Sequence, residues 1–195
     1  MAKLRKFVAY RRMERPYTRK SKFRAKAYIK SVPVCKIVRY VMGNPQRNDF
    51  QYKLLLRSKV DLQIRDIAIE SARQTSNRVL EKIVGKTEYK YIVRVYPHHM
   101  LRENPLAAGA GADRMSTGMK MSFGKVIGIA ARVFKNQPVF ELQCNKNNLA
   151  TAKIALKKAA SKIPCSCRIE VIDNAKKKSV SQAKLVRAKV EEAAA

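Results

Sequence analysis

Negative charge is what this chain has least of. Its 195 residues hold 14 Asp+Glu against 43 Lys+Arg, a formal net charge of +29. A compact chain with that balance repels itself, which implies a polyanion as its working partner. Long hydrophobic runs are also missing. The longest, Val126-Ile-Gly-Ile-Ala-Ala131, falls far short of the roughly 20 residues that span a bilayer. The amino end has Lys and Arg but no apolar h-region, so no secretory signal is expected. It is Arg-rich and acid-poor like an organelle transit peptide. Against that reading, residues 1–30 hold a single serine, Ser21, and no clean amphipathic stripe. Membrane contact is not expected, because the cations are not gathered on one amphipathic helix.

Cysteine and histidine are sparse as well. Cys35, Cys144, Cys165 and Cys167 contain no C-x-x-C pair of the kind zinc ribbons use. Reduced thiols in or near a core are the expectation. His98 and His99 are the only histidines. As neighbours in an extended segment they point to opposite sides and cannot form an i, i+4 metal pair. No P-loop, dinucleotide fingerprint or nucleophile–base–orienter set is present, so neither catalysis nor a cofactor is expected.

Positive charge is abundant and unevenly placed. Residues 1–30 carry twelve Lys/Arg and one acid, Glu14, for a local net of +11. Arg5, Lys6, Arg11, Arg12, Arg15, Arg19, Lys20, Lys22, Arg24 and Lys26 are the candidate phosphate contacts. Phe7, Tyr10, Tyr17, Phe23 and Tyr28 are interleaved with them. Solvated tails are poor in rings, so this pattern suggests an arm lying along nucleic acid, with the rings stacking or wedging. Residues 174–195 form a second basic extension.

The whole chain is 46% hydrophobic, enough for a real core, and residues 31–173 between the extensions are expected to hold it. Strands are expected at 34–41, 54–60, 89–96, 126–134, 139–142 and 168–172. A helix over 64–84 would be capped by Asp61 and stopped by Gly85, burying Ile64, Ile67, Ala68, Ser71, Thr75, Val79 and Ile83. A second, over 148–162, would bury Leu149, Ala152, Leu156, Ala159, Ala160 and Ile163 behind an exposed lysine row. Asn136-Gln137-Pro138 reads as a hairpin turn. The class is α+β, two helices packed on a mixed sheet.

Residues 97–125 read as a long loop. Five of the seven glycines lie in it or just after it. Gly lets backbone N–H groups approach phosphate closely, and Arg102, Arg114, Lys120 and Lys125 supply charge.

The run Gly111-Ala-Asp-Arg-Met-Ser-Thr-Gly-Met-Lys-Met-Ser-Phe-Gly-Lys125 resembles the signature of the L10e family of large-subunit ribosomal proteins, the archaeal and eukaryotic counterpart of bacterial L16. Arg15-Pro-Tyr-Thr-Arg-Lys-Ser-Lys-Phe23 is similar to that family's arm, and Val32-Pro33 with Lys36-Ile37 and Gly43 to its entry strand. Glu70-Ser-Ala-Arg73 and Val93-Arg94-Val-Tyr-Pro97 with His99 match further family motifs.

The resemblance covers roughly residues 15–172. It implies an α/β-hammerhead fold and a non-enzymatic protein of the cytoplasmic ribosome that binds 23S-type rRNA, with 5S rRNA and neighbouring ribosomal proteins as further partners. It also implies that Arg102, Asn104, Gly111, Asp113 and Arg114 lie in a loop near A-site tRNA and the peptidyl-transferase region, with Lys120 and Lys125 on its return. Pro105-Leu106-Ala107 replaces a pair that is often Lys-Met in the family, removing one loop cation. The carboxyl end is shorter than in eukaryotic members, which favours an archaeal type. The competing reading is a free-standing RNA-binding protein or RNA chaperone.

Overall fold

The computed structural model describes residues 6–13, 29, 32–103 and 125–174. Eight strands and two helices follow one another: β1 (Val41–Gly43), β2 (Tyr52–Ser58), β3 (Leu62–Arg65), α1 (Asp66–Ile83), β4 (Tyr89–Val93), β5 (His99–Glu103), β6 (Lys125–Val133), β7 (Pro138–Cys144), α2 (Leu149–Ala160) and β8 (Cys167–Asp173). The α+β class with two helices holds. The single mixed sheet resolves into two antiparallel ones, ordered β1-β4-β7-β2-β8 and β3-β6-β5.

The larger sheet buries one face against the helices. Tyr89, Tyr91 and Val93 alternate inward along β4, as their spacing predicts, and meet Leu54, Leu56, Phe140 and Leu142. Tyr91 and Phe140 stack at 5.3 Å. α2 lies on this layer beside α1. It buries Ala152, Ala155, Leu156 and Ala159, close to the expected stripe, and leaves its lysines exposed.

Several expectations change. Val34–Val41 is a strand only at Val41. Upstream, the Lys36 and Val38 N–H groups donate to Asp66 Oδ2 (3.1 Å) and Glu70 Oε2 (3.4 Å). One turn of α1 thus replaces a ladder partner. Asp61 is not a helix cap. Residues 62–65 form β3, α1 starts at Asp66, and Asp61 Oδ1 instead accepts from Lys135 N at 2.6 Å.

The buried face of α1 is also rotated from the expected stripe. Ile67 and Ile83 are 50% and 63% exposed, while Asp66, Ile69, Glu70, Ala72, Arg73, Ser76 and Leu80 are buried. Three polar interactions select that face: Glu70 with Arg73 (2.5 Å), Gln74 with Glu70 (2.8 Å), and Ser76 with the Tyr91 hydroxyl (2.7 Å). The Arg73 guanidinium holds the Glu70 carboxyl below its usual range. Lastly, Asn136-Gln137-Pro138 is not a hairpin turn. β6 and β7 lie in different sheets, and Asn136, at φ 65°, carries the chain between them.

Two glycines do take up left-handed backbone. Gly85 (φ +85°) ends α1 as expected, its N–H bonded to Leu80 O at 3.2 Å. Gly43 (φ +80°) lets β1 turn tightly against Tyr89.

β5 was expected to be loop. It pairs with β6, and its buried His99 faces Ala130 across the ladder. Burial, with the positive charges of Arg132 and Arg102, pushes His99 down to about 4.

Gly43→Ala should lower stability by about 2 kcal/mol or more, because an added Cβ overlaps the Tyr89 carbonyl and the φ is unfavourable. Gly85→Ala meets no atoms and should cost only about 1 kcal/mol for backbone strain. Urea unfolding of both variants checks the ordering. For His99 the folded pKa lies below the unfolded value of about 6.5, so the unfolded state binds the proton first. Stability should fall as pH drops from about 6.5 towards 4, and His99→Gln should flatten that part of the profile.

Candidate nucleic-acid interface

Residues 6–13 of the amino arm are described, and they are docked on the folded body. Phe7–Tyr10 forms one 3-10 turn. Phe7 packs on the main core, and Tyr10 is buried against Leu101 and Ala130 of the three-stranded sheet. The Tyr10 hydroxyl donates to Glu103 Oε1 at 2.6 Å, and the Arg65 guanidinium lies over its ring at 5.9 Å. These two rings are therefore anchors, a correction to their expected role beside nucleobases.

The next residues run along β3, at the edge of its sheet. Gln63 N donates to Arg11 O at 3.1 Å, and Gln63 Nε2 donates to Arg12 O. The backbone is held while the side chains of Lys6, Arg11 and Arg12 stay exposed. An exposed guanidinium on a fixed backbone is well suited to a phosphate, because less conformational freedom is lost on binding.

The ends of the long loop are also fixed. Glu103 pairs with Lys125 and Arg102 with Val126 across β5 and β6. The ladder shifts register between Leu101 and Arg102, an irregularity of the kind that re-aims side chains at a strand end. Arg102 is half-buried and Lys125 exposed. Both expected binding segments thus share one base, since Tyr10 of the arm bonds to Glu103 at the loop's root.

Arg5, Arg15, Tyr17, Arg19, Lys20, Lys22, Phe23, Arg24 and Lys26 of the arm lie outside the described residues, as do Asn104, Gly111, Asp113, Arg114 and Lys120 of the loop and the extension from 175 onward.

The structure adds cations that sequence reading did not single out. The solvent side of the five-stranded sheet carries Lys53, Arg57, Lys90 and Arg94. Several of these cations have internal partners. Lys53 and Arg94 meet Glu141 at 2.7 and 3.2 Å, and Arg57 pairs with Glu170. Glu141 is only 2% exposed. Burial alone would raise its pKa, but Lys53, with Gln143 and Arg94, keeps it below the ordinary value. On the helical side a cleft of about 690 Å³ is lined by Gln74, Thr75, Arg78, Val79, Lys82, Ile83 and Lys158.

Chemically, this surface can hold anions. Among the described residues no group of three or more His, Cys, Asp or Glu is placed to bind a metal. No helix among them is long and apolar enough to cross a membrane. His98 is exposed and His99 buried, on opposite sides of the chain.

Comparison with known proteins agrees with the motifs. The sequence model of the family described as ribosomal protein L16p/L10e matches residues 12–170. The large ribosomal subunit protein uL16 of Methanococcus maripaludis strain S2 is 45% identical over 169 residues, covering 86% of this chain and 94% of the relative. The protein of the same name from Methanococcus aeolicus is 44% identical with the same coverage. That from Hyperthermus butylicus is 46% identical over 157 residues, 80% of this chain and 83% of the relative. With the match running from the docked arm to the last strand, this chain belongs to the ribosomal protein L16p/L10e family.

Proposed function

We propose that this chain, a structural and non-enzymatic constituent of the large ribosomal subunit, binds 23S-type rRNA through its arm and holds its long loop beside A-site tRNA near the peptidyl-transferase region. The observation that carries this reading is the shared base of arm and loop. Tyr10 is bonded to Glu103, and Glu103 is paired with Lys125. RNA held by the arm therefore fixes the root of the loop as well.

The roles divide by chemistry. Lys6, Arg11, Arg12 and the cations from Arg15 to Lys26 neutralise phosphates, with Lys120 and Lys125 doing so on the loop's return. Tyr17 and Phe23 stack on or wedge between bases. Arg102, Asn104, Gly111, Asp113 and Arg114 line the tRNA side. The RNA is read through its shape and backbone rather than through base edges in a deep groove. 5S rRNA and neighbouring large-subunit proteins complete the partners.

Affinity for the rRNA fragment should fall as a steep power of salt concentration. Arg11→Ala with Arg12→Ala should weaken binding to all sequences alike and reduce the salt slope by about 2, one for each lost phosphate contact. Filter binding across a salt series measures this, and a nearly flat dependence would overturn the proposal. Separately, Arg114→Ala or deletion of residues 104–112 should slow aminoacyl-tRNA accommodation more than it lowers the yield of large subunits in sucrose gradients. Unchanged accommodation would remove the tRNA role. A wild-type chain found mainly off the large subunit would favour a free-standing RNA-binding protein.

A further inference from the structure

Cys165 and Cys167 lie outside the interface residues described above, and nothing in the ribosomal role calls for them. Their Sγ atoms are 3.7 Å apart, in van der Waals contact. The backbone holds them there. Cys167 stands opposite Ser58 in the β2–β8 ladder, and Lys59 N donates to Ser166 O at 3.1 Å, fixing the peptide between the two thiols. The single Cys167 S–H has two acceptors in reach, Cys165 Sγ and, at 3.6 Å, Cys165 O. Ser58 Oγ lies 3.5 Å from Cys165 Sγ. Both cysteines are free and half-buried.

We infer that Cys165 and Cys167 are a nucleophile and resolving pair that closes to an intramolecular disulfide by exchange with a small-molecule disulfide. The inference does not depend on the RNA reading, but it shares one residue with it: Arg11, a proposed phosphate contact, also faces Cys165.

The surroundings assign the two roles. The hydrogen bond from Cys167, helped by Ser58 and the positive charge of Arg11, pulls Cys165 down to about 6. Cys167 is pushed up, chiefly because it keeps the proton that its neighbour gives away. Cys165 is thus the thiolate near neutral pH, and the thiolate is the attacking form. Cys144 is the contrast: it is buried in the core, where desolvation raises it to about 11.

The step balances in two exchanges. The Cys165 thiolate attacks one sulfur of RS–SR, forming a mixed disulfide and releasing RS⁻. The sulfur of Cys167, giving up its proton, then attacks Cys165 Sγ and displaces the second RS⁻, which takes that proton. Two protein thiols are oxidised by two electrons, and the reagent leaves as RS⁻ and RSH. The ring formed encloses one residue, Ser166. Tight rings depart from relaxed disulfide geometry and are reduced again readily, so excess thiol should reverse the bond. Closure also removes the negative charge that faces Arg11.

The test uses the full chain with its thiols reduced. Iodoacetamide at pH 7 should label Cys165 faster than Cys35, and about tenfold faster than Cys144, as expected for a largely ionised thiol against a buried, mostly protonated one. Oxidised glutathione should then produce a Cys165–Cys167 linked peptide in mass mapping, lost again on adding reduced glutathione. Cys167→Ser should stop at glutathione on Cys165. Faster labelling of Cys35 or Cys144, or glutathione on Cys165 of the wild type with no linked peptide, would overturn the inference. The wild-type labelling and mapping decide the matter even if a variant fails to fold.

Discussion

The fold depends on how few carboxylates must serve so many donors. With about three cations for each acid, an acid that pairs with one lysine on the surface would contribute little. Four carboxylates among the described residues are placed where each holds several groups. Glu70 accepts from Arg73, Gln74 and the backbone of Val38. Asp66 accepts from Lys36 N and Ile67 N, and Glu141 gathers Lys53, Arg94 and Gln143. Glu88 binds both Arg47 and Asn145. Removing such an acid leaves buried donors and cations without compensation, which costs far more than an exposed ion pair contributes. Negative charge is thus concentrated at joints, and positive charge is left over at the surface.

The three-stranded sheet turns that arrangement into a platform. Its β3 edge is lined by the arm's backbone, and its β5–β6 end grips the two ends of the loop. Tyr10 and Glu103 join them. Loops that carry function need a rigid frame beneath them, because positional error at the root is amplified at the tip. Net charge, by contrast, is a long-range property that directs association without setting position. The two demands fall on different residues: Lys6, Arg11 and Arg12 present exposed charge, whereas buried Tyr10, Leu101 and Ala130 hold the arm in place.

Sequence reading succeeded where one period governed one element. Alternation placed Tyr89, Tyr91 and Val93 inward, and the three- and four-residue steps of Leu149–Ala160 marked most of the buried side of α2. It failed where tertiary partners overrode local pattern. Hydropathy put Ile67 and Ile83 inside α1, but the pairing of Glu70 with Arg73 and of Ser76 with Tyr91 turned another face inward. Residues 64 and 65 read as the start of a helix because Ile64 fits both periods; only pairing with β6 makes them strand. The same held for the site. Motif resemblance marked the arm and loop, yet the bond from Tyr10 to Glu103 joins residues 93 positions apart in sequence, beyond any local signal. Phe7 and Tyr10 looked like rings for RNA because composition does not distinguish a ring that stacks on a base from one that packs on a sheet.

Charge and stability are coupled in such a molecule. The excess cations repel one another in the free chain and oppose compactness. Polyanion binding relieves that repulsion, and any ligand that binds only the folded state stabilises it by an amount that grows with the logarithm of ligand concentration over Kd. The carboxylate joints therefore need only make the free fold marginally stable, with rRNA contributing the rest. That division explains why the packed body is organised around a few multiply bonded acids such as Glu70 and Glu141, while the cations of its docked arm remain directed outward. A chain with enough acids to neutralise itself would be more stable alone and would bind RNA less well. The shortage of carboxylates is a stability cost that binding to RNA offsets.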